Sequence, residues 1–225
     1  MSKPLFSGTH ADTYDTRIER LVPGYRLAHE LTLAKLETLV PNEATILIAG
    51  AGTGTEIELY AAHRPMWRFV AVEPSHDMVA ILVAKAEVGG FADRLEIVRG
   101  TVDALNARHA ADACVAHLVT HFLAGDEAKQ AFFQAIAARL APGASLLHLD
   151  YVPPAASLDP AYRTWAGQIG QPESDVDMME GRILKSWDAA NRDRLAGLLR
   201  SAGFDDTRSF FQALDYRCFS SRLRH

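Results

Sequence analysis

Apolar positions along the chain follow two periods that alternate. Tyr14, Ile18, Leu21 and Val22 recur at helical spacing and predict a helix over Ala11–Val22, stopped by Pro23-Gly24. Leu27, Leu31, Leu33, Ala34, Leu36 and Leu39 predict a second helix from Tyr25 to about Val40. From there short apolar runs alternate with helical patterns. The runs are Thr45–Ala49, Trp67–Glu73, Arg94–Val98, Asp112–His117 and Ser145–Asp150. The helical patterns between them cover Gly54–His63, a stretch from Pro74-Ser75 to Gly89-Gly90, and Asp126–Leu140, with Pro142-Gly143 as the breaker before the fifth strand. Arg99–Ala110 has no period and reads as a loop. Runs that are apolar throughout, not every second residue, belong to strands buried on both faces. Strand and helix in alternation predict a parallel sheet covered on both sides, and right-handed crossovers make it doubly wound.

The pattern changes after Asp150. Val152–Asp159, with Pro153, Pro154 and the following Pro160, reads as a loop. Helical segments are expected at Ala161–Ile169, within Glu173–Lys185, and at Ala190–Ser201, the last ending at a C-cap glycine, Gly203. Two closing strands, Asp206–Ala213 and Tyr216–Ser221, are separated only by Leu214-Asp215, which requires an antiparallel hairpin. The expectation is one domain over 1–225, in the α/β class: a Rossmann-like, seven-stranded, mostly parallel sheet. Residues 11–40 form an N-terminal helical cap, and 152–188 a helical insertion over the ligand site.

The chemistry concentrates at Ile46–Ile57, ILIAGAGTGTEI. An apolar strand runs into Gly50, Gly52 and Gly54, and a helix follows. Glycines permit the sharp turn and a close approach to the backbone, and the helix directs amides and a positive dipole end at whatever binds there. Ligands of open α/β sheets sit at such strand ends. Nicotinamide, flavin and S-adenosylmethionine (SAM) sites all use a turn of this kind. The dinucleotide fingerprint places its third glycine three residues after the second, and position 55 is Thr. Glu73, closing the second strand, is suited to accept from both hydroxyls of an adenosine ribose; the alternative is a solvated strand end. Asp103, in Gly100-Thr101-Val102-Asp103, is suited to accept from an adenine amino group; the alternative is a helix N-cap.

The segments ILIAGAGTG, AVEPSHDM, VRGTVDAL and DACVAHLVTHFL, in that order and spacing, resemble the class I SAM-dependent methyltransferases over residues 45–150. LVPGY at 21–25, HFL at 121–123, and AGF with FFQALDYRCF near the C-terminal end are similar to a subgroup related to the carboxy-SAM synthases of tRNA wobble-uridine modification. The resemblance implies methyl transfer from SAM, with S-adenosylhomocysteine as product. It implies that Gly50, Ala51 and Gly52, with Gly54 completing the turn, line the methionine portion. Glu73 would hold the ribose. Pro74, Ser75 and Met78 would lie beside the adenine, with Thr101, Val102 and Asp103 across from them. His117 and Leu118 would close the pocket, and Tyr14 and Tyr25 would cover it. Two departures stand out. Many relatives carry an acidic residue two positions before the first glycine, where this chain has Ile48. The basic residue with which carboxy-SAM synthases hold their extra carboxylate has only Arg182 as a counterpart here. That favours ordinary SAM.

Candidates for a general base are His117, His121 and Asp150. His117 and His121 are four apart and would share a face on a helix; no metal site is expected, because a third ligand is not evident. His121 and His148 also read as packed core histidines. Trp165, Met178, Met179 and Trp187 either line an apolar substrate pocket or pack between helices, with packing preferred.

Composition adjusts this picture only slightly. The formal charge of −5 and a sequence pI near 6.0 argue against a nucleic-acid footprint. A small-molecule acceptor is therefore expected over tRNA. Two distant cysteines, Cys114 and Cys218, suit a reducing compartment, and no long apolar segment is present, so a cytoplasmic protein that does not enter membranes is expected. The resembling subgroup suggests a homodimer. Alternatives are a carboxy-SAM or tRNA-modifying enzyme, a nicotinamide oxidoreductase, and a SAM-binding protein without catalysis.

Overall fold

The computed structural model describes residues 14–106, 111–155 and 157–224. Among the described residues, two helices, α1 (Tyr14–Leu21) and α2 (Tyr25–Glu37), precede the first strand. Then come β1 (Thr45–Ala49), α3 (Thr55–His63), β2 (Arg68–Val72), α4 (His76–Gly89), β3 (Leu95–Val98), β4 (Ala111–His117), α5 (Gly125–Ala137) and β5 (Leu140–Tyr151). The chain closes with α6 (Pro160–Gln168), α7 (Glu173–Lys185), α8 (Arg192–Ser201), β6 (Phe204–Ala213) and β7 (Tyr216–Leu223). The seven strands form one sheet in the order β3-β2-β1-β4-β5-β7-β6. All neighbouring pairs are parallel except those made by β7, which runs antiparallel to β5 and to β6. The fold class expected from the pattern is the one found.

The side chains explain why the strands read as continuous apolar runs. Successive residues of a strand face opposite sides of the sheet. Leu47 and Ala49 join Phe133, Ile136, Leu195 and Leu199 of α5 and α8 in one core. Ile46 and Ile48 join Leu36, Ile57, Tyr60 and Leu82 of α2, α3 and α4 in a second. A third core lies beyond the carboxyl end of β5, where Leu21, Val22 and Tyr25 meet Tyr162, Ala166, Val176, Met179 and Ile183. The N-terminal helices and the late helices thus pack on each other. Trp165, Met178 and Trp187 pack against this third core as well, as helix packing requires.

Several expected boundaries move. Ala11–Thr13, the start of the expected first helix, lie outside the described residues, as does 107–110 of the expected loop. The second helix ends at Glu37, and Trp67 and Glu73 flank β2 without belonging to it. Arg94 belongs to a 3-10 turn, Ala92–Arg94, and Val102–Ala104 forms another inside the expected loop. The largest correction is at β5. It begins at Leu140 and contains Pro142-Gly143, expected as a break between helix and strand. Leu140 pairs with Ala111 and Ser145 with Ala113, so the register shifts there and residues 141–144 are accommodated as an irregularity. Proline, having no N–H to donate, is tolerated in a sheet at such a place. Pro160 is likewise inside its helix, at the first turn, with Asp159 accepting from the Ala161 amide at 2.8 Å as N-cap.

Candidate active site

The strand order reverses between β1 and β4, and the carboxyl ends of these two strands open a crevice there. The glycine turn fills the end of β1. Gly50 and Ala51 both donate to the Val72 carbonyl, at 2.9 and 3.0 Å, which ties the turn to the end of β2. Gly52 and Gly54 are left-handed, with φ of 52° and 74°. A Cβ on Gly54 would lie 2.2 Å from Leu82 Cδ1, so this glycine is required by packing behind the turn. A Cβ on Gly52 would meet nothing within 4 Å, because Gly52 faces the crevice.

The crevice holds a cavity of about 470 Å³, within the size of small-molecule sites. Tyr14, Gly50, Gly52, Glu73, Pro74, Ser75, Met78, Thr101, Val102, His117 and Leu118 line it. Ala51 and Tyr25 lie in the wall of an adjoining cavity of about 30 Å³, together with His29, Thr53, Thr55 and Glu56. So most of the residues singled out from the sequence are brought together, although they come from seven separate stretches of chain. Three are not. Gly54 sits behind the turn as the N-cap of α3. Asp103 is exposed, outside the cavity wall, and its carboxyl is lowered by a bond from Thr101. His121 and Asp150 face each other behind the wall.

Glu73 stands where the pattern placed it, past the end of β2. Its Oε2 accepts from the Gly52 amide at 2.9 Å and its Oε1 from the Ser75 amide at 2.8 Å. Burial raises its carboxyl above the usual range, and the two amides oppose that rise. Ser75 in turn caps α4, accepting from the Met78 amide at 3.4 Å.

A pair of histidines closes the crevice on the α2 side. His117 ends β4, and its Nδ1 lies 3.2 Å from His29 Nδ1. Its Nε2 lies 3.4 Å from Thr32 Oγ1. Burial holds both rings neutral, His29 down at about 4 and His117 well below the ordinary value, the latter also through His29. His117 and His121 do not share a helix face: the first ends a strand and the second lies in a 3-10 turn, Thr120–Phe122.

That turn is held by Asp150. Its Oδ2 accepts from the Thr120 amide at 2.7 Å and from the Thr120 hydroxyl. Its Oδ1 accepts from His121 Nδ1 and from the Tyr151 amide, the latter at 2.8 Å. Burial alone would push this carboxyl up, but His121 and the bonds it receives hold it well below the carboxylate range. The His121 ring lies between Phe122 and Trp187, each with its centroid 4.1 Å away. His121 and Asp150 therefore position the cavity wall, which carries Val119, Phe122 and Leu123. His148, also buried, stacks on Phe219 as a core residue.

Sequence reasoning missed His29, Glu56, Ser186 and the cavity residues Val119 and Phe122. His29 and Glu56 sat inside helical patterns with nothing to separate them from surface polar positions. Val119 and Phe122 follow Leu118, which turns the chain out of β4 with a positive φ of 57° that a leucine in the sequence does not announce. Arg182 lies on α7, half-buried; burial lowers its pKa, and Arg17 and Tyr14 act on it electrostatically.

Residues 47–146 match the family model described as a methyltransferase domain. No curated protein matches the sequence. Among solved structures, an O-methyltransferase family 2 protein from Planctomyces limnophilus in complex with apigenin superposes with a TM-score of 0.63 at 16% identity, covering 98% of this chain and 63% of that one. Human N-acetylserotonin methyltransferase in complex with SAM gives 0.60 at 15%, covering 100% and 61%. An N,N-8-amino-8-demethyl-D-riboflavin dimethyltransferase from Streptomyces davawensis gives 0.62 at 18%, covering 86% and 54%. The chain thus spans between half and two thirds of the length of these structures, and it shares their α/β methyltransferase fold.

Proposed function

We propose that the chain is a SAM-dependent methyltransferase acting on a small organic acceptor. The observation that carries this reading is Glu73, held by the Gly52 and Ser75 amides at the junction of the glycine turn and the main cavity. Its carboxylate is a fixed pair of acceptors beside a backbone surface without side chains, which suits a ribose diol lying over the turn. Pro74, Ser75, Met78, Thr101 and Val102 would hold the adenine, and Gly50, Ala51 and Gly52 the methionine end. Tyr14 and Tyr25 would cover both.

The sulfonium of SAM supplies an already activated methyl group. What the protein must add is alignment at about 3 Å and exclusion of water. Leu118, Val119, Phe122 and Leu123 give the cavity an apolar wall suited to both. Among the described residues, none of the base candidates His117, His121 and Asp150 presents a free nitrogen or oxygen to the cavity. His117 has both ring nitrogens engaged, and His121 and Asp150 bond to each other behind the wall. This favours acceptors that are nucleophilic without strong deprotonation. The net charge of −5 disfavours tRNA. A second reading, carboxy-SAM chemistry, draws on Arg182, which lies within electrostatic reach of Tyr14 in the cavity wall.

The test is calorimetric titration of SAM, S-adenosylhomocysteine and NAD, with mass spectrometry of any co-purified ligand. Micromolar binding of the first two is expected. Glu73→Ala removes two charge-assisted bonds and is expected to weaken it by at least about 100-fold. Binding of NAD without binding of SAM would overturn the reading. A co-purified carboxylated SAM would promote the second reading.

A further inference from the structure

The adjoining cavity of about 30 Å³ is too small for a second ligand, but it has room for one water-sized group. The hydrogen-bond chain in its wall determines what kind of group. Thr32 Oγ1 donates to the Ala28 carbonyl at 2.8 Å, so its contact with His117 Nε2 at 3.4 Å must be one in which it accepts. His117 is neutral and carries its proton on Nε2, which leaves Nδ1 bare. His117 Nδ1 therefore accepts from His29 Nδ1–H at 3.2 Å. His29, also neutral, is left with a bare Nε2, and that atom is buried with no hydrogen-bond partner among the described residues. In the same wall Glu56, in the first turn of α3 and only 5% exposed, adds a carboxylate. His29 and Glu56 both line this one small space, and a bare ring nitrogen together with a carboxylate there complements a donor that carries positive charge.

We propose that this cavity seats the α-ammonium group at the methionine end of the cofactor, with Glu56 and His29 Nε2 as its acceptors. The assignment rests on the SAM reading above and deepens it. It also accounts for Ile48. That side chain is fully buried in the sheet core, where relatives often carry an acid, so the charge opposite the ammonium has to come from elsewhere. Here it comes from the helix after the glycine turn, not from the strand before it. In the free protein burial pushes the Glu56 carboxyl up to about 7, so an arriving cation is paired with a group that lacks a full counter-charge of its own.

The experiment compares ligands with and without the amino-acid end. Wild type, Glu56→Gln and His29→Leu are titrated with S-adenosylhomocysteine and with 5′-methylthioadenosine, which has the adenosine and thioether but no ammonium. Glu56→Gln is expected to weaken S-adenosylhomocysteine by about 10- to 100-fold and His29→Leu by about 3- to 10-fold. Both variants should bind 5′-methylthioadenosine within about twofold of wild type, far below the loss of one charged hydrogen bond. Equal losses for both ligands, or no loss for S-adenosylhomocysteine, would overturn the proposal and leave the SAM reading intact. Failure of wild type to bind either ligand would overturn the SAM reading, and the proposal with it.

Discussion

Asp150→Asn tests whether the buried carboxylate behind the cavity holds structure or takes part in chemistry. Each oxygen of Asp150 serves two donors: the Thr120 amide and hydroxyl at Oδ2, the His121 ring and the Tyr151 amide at Oδ1. Asparagine offers one oxygen and one NH₂. Whichever way it turns, one pair of donors faces another donor. Two charge-assisted bonds at about 1.5–3 kcal/mol each give a loss of about 3–6 kcal/mol. For a chain of this size that corresponds to a drop of about 6–24 °C in Tm. Thermal unfolding followed by circular dichroism, with urea titration as a second measure, reads it directly. A loss below about 1 kcal/mol, the worth of a single neutral hydrogen bond, would refute the bond count. A variant with wild-type stability and abolished methyl transfer would refute the structural assignment and return Asp150 to the chemistry.

Gly54→Ala is expected to cost about 2–5 kcal/mol by urea titration, from a left-handed φ of 74° and a Cβ 2.2 Å from Leu82 Cδ1; a neutral result would mean that the turn relaxes. Glu56 makes stability depend on pH. Its folded pKa of about 7 lies above the unfolded value of 4.5, so the folded state holds the proton more tightly between them. The stability this contributes is present below pH 4.5 and lost as pH rises through about 7, a difference of about 3 kcal/mol. Glu56→Gln should therefore be more stable than wild type at pH 8 and should lose that pH dependence, while binding the cofactor less well. Parallel pH profiles for the two proteins would refute the assignment.

The sheet was legible because its signal is local. A strand buried on both faces needs an apolar run, and Ile46–Ala49 could be read without knowledge of its neighbours. Glu73 was legible because a strand end followed by Pro74-Ser75 fixes where a carboxylate stands. His29 and Glu56 were not, because their meaning depends on packing between α2, α3 and β4, which no periodicity expresses. The Pro142 break failed for a similar reason. Proline excludes a helix interior and an interior ladder position, but at a register shift it violates neither rule, and a shift depends on the partner strand. Asp103 shows the opposite limit: the loop was legible, but that its side chain is exposed and outside the cavity wall was not.

The helix that carries Tyr14 is fastened differently at its two ends. Leu21 and Val22 are sunk in the third core, and Tyr162 donates its hydroxyl to the Leu21 carbonyl at 2.7 Å. The other end is held by Asp15, which pairs with Lys85 at 2.6 Å and accepts from the Thr53 and Thr55 hydroxyls beside the glycine turn. Apolar contacts are indifferent to dissolved ions, whereas pairing between partly exposed charges is screened by them. Ionic strength thus acts on the Tyr14 half of the helix, where Arg17 also pairs with Asp175 at 3.7 Å. For a ligand covered by that tyrosine, as proposed above, residence time would vary with the electrolyte, while the apolar end keeps the helix in place.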